Sequence, residues 1–267
     1  MGDPTTRRMG QVSDEEGQLS YGTYLKVPEL LALQAPLSKP AAHDELLFII
    51  VHQAFELWFR EMAFELETVR DLISSGDIHR ARHLLTRVHA IERLLIEQIE
   101  VIETMSPQDF LEFRSNLSPA SGFQSAQFRE IEFISGLKEP RFLDAATEPD
   151  ERARLERRLA EPTLWEAFCS LLDAHGLPMP QSDHETRRFS LLKMASDRAA
   201  FAELWYLSED LLVHDELFSL WRQRHILMVE RQIGTKRGTG GSSGAPYLRT
   251  TLDKRFFPEL WELRSDL

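Results

Sequence analysis

The stretch that decides the fold is IHRARHLLTRVHAIERLLIEQIEVIETM, residues 78–105. Its apolar marks Leu84, Val88, Ile91, Leu95 and Ile102 recur at spacings of three, four or seven, which is one face of an α-helix. A helix of this length with charged residues on its other faces belongs in a helical bundle. Gly76-Asp77 before it stops one helix and starts the next, and Ser106-Pro107 after it reads as an N-cap with proline in the first turn. Upstream, HDELLFIIVHQ (43–53) opens a helix from Asp44 to about Leu72, whose six consecutive apolar residues imply burial nearly all round.

Downstream, a short helix carries Phe110 and Arg114, and Ser118-Pro119-Ala120-Ser121-Gly122 is a loop. Residues 139–163 are charged and broken by three prolines, so 141–195 are expected as a peripheral excursion. Residues 195–233 are again helical, with Trp205, Leu212, Phe218, Trp221 and Ile226 as apolar marks. No run alternates β-branched residues, and no internal repeat occurs. The fold class is all-α: one large helical domain over residues 19–267, behind a disordered polar tail at 1–18.

Bulk properties set further bounds. With 31 Lys and Arg against 43 Asp and Glu, the net charge of −12 opposes a sequence-independent grip on nucleic acid. No apolar stretch approaches the roughly 20 residues that cross a bilayer. The polar N-terminus lacks a signal-peptide core. The single cysteine, Cys169, cannot form an internal disulfide and fits a reducing compartment. A cytoplasmic protein without nucleic-acid or membrane partners is expected.

Several residues stand out chemically. His52 shares its helical face with Phe48, Phe55 and Phe59, while His43 lies on the opposite face. Buried histidines mostly serve packing, but this one projects from an aromatic surface. His225 lies four residues after Trp221 on a largely apolar helix; it is a core residue or an axial ligand. His79 and His83 have metal-ligand spacing yet sit among arginines, as on a solvated face. Arg114 follows Phe110 by one turn and is either a surface ion-pair partner or a carboxylate clamp beside an apolar ring. GTKRGTGGSSG (234–244) holds five glycines in eleven residues. It matches no phosphate-loop pattern, but its backbone N–H groups, hydroxyls and two cations suit closure over an anionic group.

Five segments in order, YGTYL (21–25), HDELLFIIVHQAFELWF (43–59), FRSNLSPASGFQS (113–125), LWRQRH (220–225) and KRGTGGSSG (236–244), resemble the tryptophan 2,3-dioxygenase family over residues 19–263. The resemblance implies a b-type haem, ferrous when active, with O₂ as co-substrate and L-tryptophan as substrate. It implies His225 as the proximal ligand of the haem iron and His52 as the distal residue that hydrogen-bonds the indole N–H. Phe48 would pack on the indole with Phe110 beside it, Arg114 would pair with the substrate carboxylate, and Thr239 would close over the amino-acid end. Ser121 and Gly122 match a loop along the haem. Tyr21, Tyr24 and Leu25 resemble a segment that completes a neighbouring subunit's pocket in a homotetramer. The implied reaction adds both atoms of O₂ across the indole C2–C3 bond, giving N-formylkynurenine.

Three other readings compete. One is a relative in the same superfamily that oxygenates a different indole in secondary metabolism. Another is a non-haem metal hydrolase using His79 and His83, against which stands the absence of HExxH and ExxH. The third is a helical interaction module.

Overall fold

The computed structural model describes residues 19–267, and the expected tail at 1–18 lies outside the described residues. Two units are distinguished, Met1–Ala35 and Pro36–Leu267, so the expected 19–267 domain parts after Ala35. The first unit contains α1 (Tyr21–Leu25), capped by Ser20 through Thr23 N, and α2 (Val27–Leu31). The second contains α3 (Glu45–Ser75), α4 (Ile78–Glu103), α5 (Pro107–Phe113), α6 (Ala126–Ser135), α7 (Pro149–Ala160), α8 (Leu164–Ala174), α9 (His184–Ser196), α10 (Arg198–Ile233), α11 (Ala245–Arg249) and α12 (Pro258–Leu263). The described residues include no strand, and the all-α expectation holds.

Helix α4 is the spine. Gly76, at φ 83°, ends α3 in the left-handed region, and the Asp77 side chain accepts from Arg80 N to start α4. Leu85, Val88, Ile91, Leu95, Ile99 and Ile102 lie buried along it. Each contributes roughly 1.5–3 kcal/mol by leaving water. Both α3 and α10 pack on α4. Buried polar contacts fix the register of α10: His214 bonds Glu92 on α4 through Nδ1 (2.7 Å) and Ser135 on α6 through Nε2 (2.9 Å). His89 Nε2 donates to the Asp210 carbonyl at 2.9 Å.

Two expectations need correction. The first half of α3 is not buried all round, since Leu46 and Ile50 are 45% and 47% exposed, and Leu57 and Phe64 further along are also exposed. Helix α3 packs chiefly on α4, α6 and α8, and Leu46, Ile50, Leu57 and Phe64 are left as an exposed apolar stripe among the described residues. Nor is 141–195 merely peripheral. Arg158, in the charged α7, is buried and donates to Glu67 (2.8 Å), Glu130 (3.2 Å) and Glu161 (2.9 Å), so part of that charge faces inward. Leu164, Phe168, Leu172, Leu191 and Met194 from α8 and α9 belong to the main core. Among the described residues, no helix is long and apolar enough to cross a membrane.

Candidate functional site

Because α3 and α10 both lean on α4, a gap opens between them with Ile99 and Ile102 as its floor. The gap is a cavity of about 290 Å³. His52, Phe55 and Phe59 line it from α3, and Trp221, His225 and Met228 from α10. Aromatic contacts bridge the helices: Phe55 and Phe59 meet Trp221 edge-on at 6.1 and 6.0 Å between ring centres.

His52 Nδ1 lies 2.7 Å from the Phe48 carbonyl. A carbonyl only accepts, so Nδ1 carries the proton and Nε2 is left as an acceptor. The surface that His52 exposes is in part cavity wall. Burial lowers the ring's pKa, opposed by the Phe48 carbonyl and by Glu56 one turn on. Glu56 is itself held by Gln127, whose Nε2 donates to its carbonyl and its carboxylate, each at 2.8 Å.

His225 stacks on Trp221 at 5.1 Å and 6°. Burial first and His52 second push its pKa down to about 4, so it is a neutral imidazole at physiological pH. Neither of its ring nitrogens has a hydrogen-bond partner among the described residues. A neutral, unpartnered imidazole in an aromatic cavity wall is a donor set that fits haem iron.

Phe110 and Arg114 also line the cavity. The Ser106 capping box, with Asp109 returning the bond and Pro107 in the first turn, starts the short helix that carries Phe110. Arg114 Nη2 donates to the carbonyl of Arg237 in the glycine-rich loop. Thr239 Oγ1 donates to the Ala120 carbonyl at 2.6 Å, and Ser118 Oγ reaches the Thr239 carbonyl at 3.4 Å. The loop therefore rests on residues 114–121. Gly240 is required at that seat, because a Cβ there would fall 2.5 Å from Ser121 Cβ. Gly244 has φ 73°, and a Cβ there would fall 2.5 Å from the Lys236 carbonyl. Ser121, Gly122 and Thr239 all line the cavity.

The cavity thus gathers His52, His225, Phe110, Arg114, Ser121, Gly122 and Thr239. Phe48 is not in the wall. It packs behind it, 4.0 Å from His52, 5.7 Å from Phe110 and 5.5 Å from the fully buried Phe113. Position i−4 from His52 puts its ring under the imidazole rather than beside it. Tyr21, Tyr24 and Leu25 belong to the separate N-terminal unit and are 80%, 71% and 45% exposed. His43 points to solvent beside Asp44, and His79 and His83 are exposed on α4. The described residues contain no group of three or more His, Cys, Asp or Glu side chains able to hold a metal ion.

Several wall residues had no assigned role in the sequence. Trp221 carried a readable signal, one turn before His225. Glu56, Arg129, Glu132 and Arg222 carried none, since only packing brings them to the cavity.

The family model described as tryptophan 2,3-dioxygenase matches residues 6–147 and 145–267. A tryptophan 2,3-dioxygenase of Nocardioides sp. is 53% identical over 260 residues, covering 95% of this chain and 97% of its own. The enzyme of that name from Herpetosiphon aurantiacus is 44% identical over 258 residues, covering 93% and 98%. That from Xanthomonas oryzae pv. oryzae is 42% identical over 268 residues, covering 96% and 90%.

Proposed function

The chain belongs to the tryptophan 2,3-dioxygenase family, and from that premise we propose how its cavity oxidises tryptophan. The enzyme is a dioxygenase that opens the indole ring of L-tryptophan, yielding N-formylkynurenine. One observation carries the site reading: neutral imidazoles from α3 and α10, His52 and His225, line a single aromatic cavity whose wall also includes Arg114 and Thr239.

In this reading His225 would hold the iron of a b-type haem, and Ser121 and Gly122 would help line the pocket that takes it. When bound, ferrous haem supplies the activation of O₂. The protein does the rest. Nε2 of His52, bare because Nδ1 is committed to Phe48, accepts the indole N–H and fixes the ring that reacts. His52 is a positioning acceptor. Its lowered pKa keeps it from presenting a proton in place of a lone pair. Phe110 forms the apolar slot, and Phe48 braces Phe110 and His52 from behind. The Arg114 guanidinium takes the substrate carboxylate with N–H groups beyond the one given to Arg237. Thr239 covers the amino-acid end as the loop seats, which excludes water from the reacting ring.

The active assembly is a cytoplasmic homotetramer in this reading. The exposed Tyr21, Tyr24 and Leu25 support a role for that segment in a neighbouring subunit's pocket, and the open apolar face of α3 supports burial between subunits.

The test is an optical spectrum of the haem-reconstituted, reduced protein before and after L-tryptophan in air. A Soret band with growing N-formylkynurenine absorbance is expected. A haem band without product would move the substrate to another indole, and no haem band would return His225 and His52 to packing roles.

A further inference from the structure

The His52 ring takes its position from its own helix. Its one hydrogen bond among the described residues runs from Nδ1 to the Phe48 carbonyl at 2.7 Å, and its aromatic neighbours Phe48 and Phe55 also belong to α3. The place of Nε2 in the cavity therefore depends on the rotation and height of α3 itself. Apolar packing sets these loosely, because it is non-directional. The stripe of Leu46, Ile50, Leu57 and Phe64 leaves one side of the helix exposed.

Two side-chain amides grip α3 on either side of His52. Gln98 on α4 donates through Nε2 to the Val51 carbonyl at 2.8 Å, one residue before it. Gln127 on α6 donates through Nε2 to the Glu56 carbonyl at 2.8 Å, one turn after it. Inside a helix each carbonyl already accepts from the N–H four residues on, so neither needs a second donor to be satisfied. These contacts act on geometry instead. Val51 and Glu56 stand about 140° apart around the helix and about 7.5 Å apart along it. One contact would leave α3 free to pivot, whereas two at that offset fix both its rotation and its height. The other hydrogen of the Gln127 amide goes to Glu56 Oε2, also at 2.8 Å, and pins the carboxylate one turn from His52.

We propose that Gln98 and Gln127 are positioning residues for His52, clamping the α3 backbone so that Nε2 meets the indole N–H. This deepens the reading of His52 as the indole acceptor and rests on it. Neither glutamine lines the cavity, so both act through α3. The residues next to them, Ile99 and Phe128, do line it. The clamps thus tie α3 to the two elements that supply the cavity floor and part of its wall, and the acceptor is held in register with the surface against which the substrate lies. Such register matters because a hydrogen bond weakens steeply as its angle is lost.

The test uses Gln98→Met and Gln127→Met in the haem-reconstituted full chain, since methionine keeps a flexible side chain of similar reach and removes the donor. Haem loading and far-ultraviolet circular dichroism should stay at parental values. The ratio of kcat/KM for L-tryptophan over 1-methyltryptophan should fall roughly fivefold in each variant, the size of one neutral hydrogen bond. The loss should lie in kcat, because Arg114 still holds the amino-acid end. A second readout is the C–O stretching band of the ferrous carbon monoxide complex, which responds to the distal imidazole. It should be single and narrow in the parent, and broadened or split in the variants. Each variant is read by itself, so failure of one to fold leaves the other as the test. A parental ratio and band in the variants, with His52→Ala collapsing the ratio, would overturn the clamp alone. Equal losses on both substrates would also overturn it, making the glutamines packing residues. A ratio untouched by His52→Ala would overturn the reading of His52 and the clamp with it.

Discussion

Arg114 donates through Nη2 to the carbonyl of Arg237, joining the residue proposed to grip the substrate carboxylate to the backbone of the loop that covers it. Carboxylate binding and loop seating therefore share one guanidinium. Arg114→Ala should raise KM for L-tryptophan by about 10–150-fold, the range for removing a charge-assisted hydrogen bond of roughly 1.5–3 kcal/mol. The parent should strongly prefer tryptophan over tryptamine, which lacks the carboxylate, and the variant should lose most of that preference. Unchanged preference in steady-state kinetics would remove Arg114 from carboxylate recognition.

The loop seat makes a separate prediction. Gly240→Ala would place a Cβ 2.5 Å from Ser121 Cβ and lift the loop from its bed. We expect KM for L-tryptophan to rise about tenfold, corresponding to roughly 1.4 kcal/mol of lost closure. Combining it with Ser121→Gly should recover part of the loss. A double variant no better than the single one would mean that the loop is held elsewhere.

His225→Ala removes the imidazole proposed to hold the haem iron. Purified, reconstituted variant should retain little haem, whereas folding followed by far-ultraviolet circular dichroism should persist. A normal Soret band in this variant would sink the axial assignment.

For His52, the tautomer fixed by Phe48 predicts a different outcome. His52→Ala should keep haem but lower kcat/KM for L-tryptophan by about 5–150-fold, as for leaving a buried N–H without its acceptor at roughly 1–3 kcal/mol. 1-Methyltryptophan has no indole N–H, so the substitution should affect its turnover less. Equal losses for both substrates would separate His52 from the indole nitrogen.

Acid should destabilise the fold through His89. Burial first and neighbouring His214 second lower its pKa from 6.5 to about 4. The unfolded chain then binds the proton between those values while the folded chain does not, so stability falls as pH drops from about 6.5 to 4. Traversing the whole window costs up to about 3 kcal/mol. His89→Gln keeps a donor for the Asp210 carbonyl and does not titrate. Urea denaturation of this variant should show a flatter acid limb than the parent, and an identical limb would assign the acid sensitivity to other groups.

Helix-local features were legible in the chain because the signal for them is local. The 3.6-residue period of residues 78–105, Gly76-Asp77 as stop and start, and Ser106-Pro107 as a cap depend only on neighbours within a turn or two. The shared aromatic face of Phe48, His52, Phe55 and Phe59 follows from the same periodicity. The glycine count between 234 and 244 likewise announced a loop with unusual backbone freedom.

Which faces meet is a different kind of information. Helices α3 and α10 pack on α4, and that arrangement alone brings His52 and His225 to one cavity and stacks Trp221 on His225 against Phe55 and Phe59. Packing also put Phe48 behind the wall, since Phe113 and Phe110 fill the space around its ring. A charge run gave no hint that Arg158 would be buried among three glutamates, because the partners Glu67 and Glu130 are distant in sequence. The same holds for Glu132, which joins Arg129 on its own helix to Arg222 ninety residues away. Sequence by itself determined the helices, their apolar stripes and the loop chemistry, because those are set by backbone geometry over a few residues. Tertiary structure decided the cavity, its buried charge and the open face of α3, because desolvation and pairing depend on what each helix happens to face.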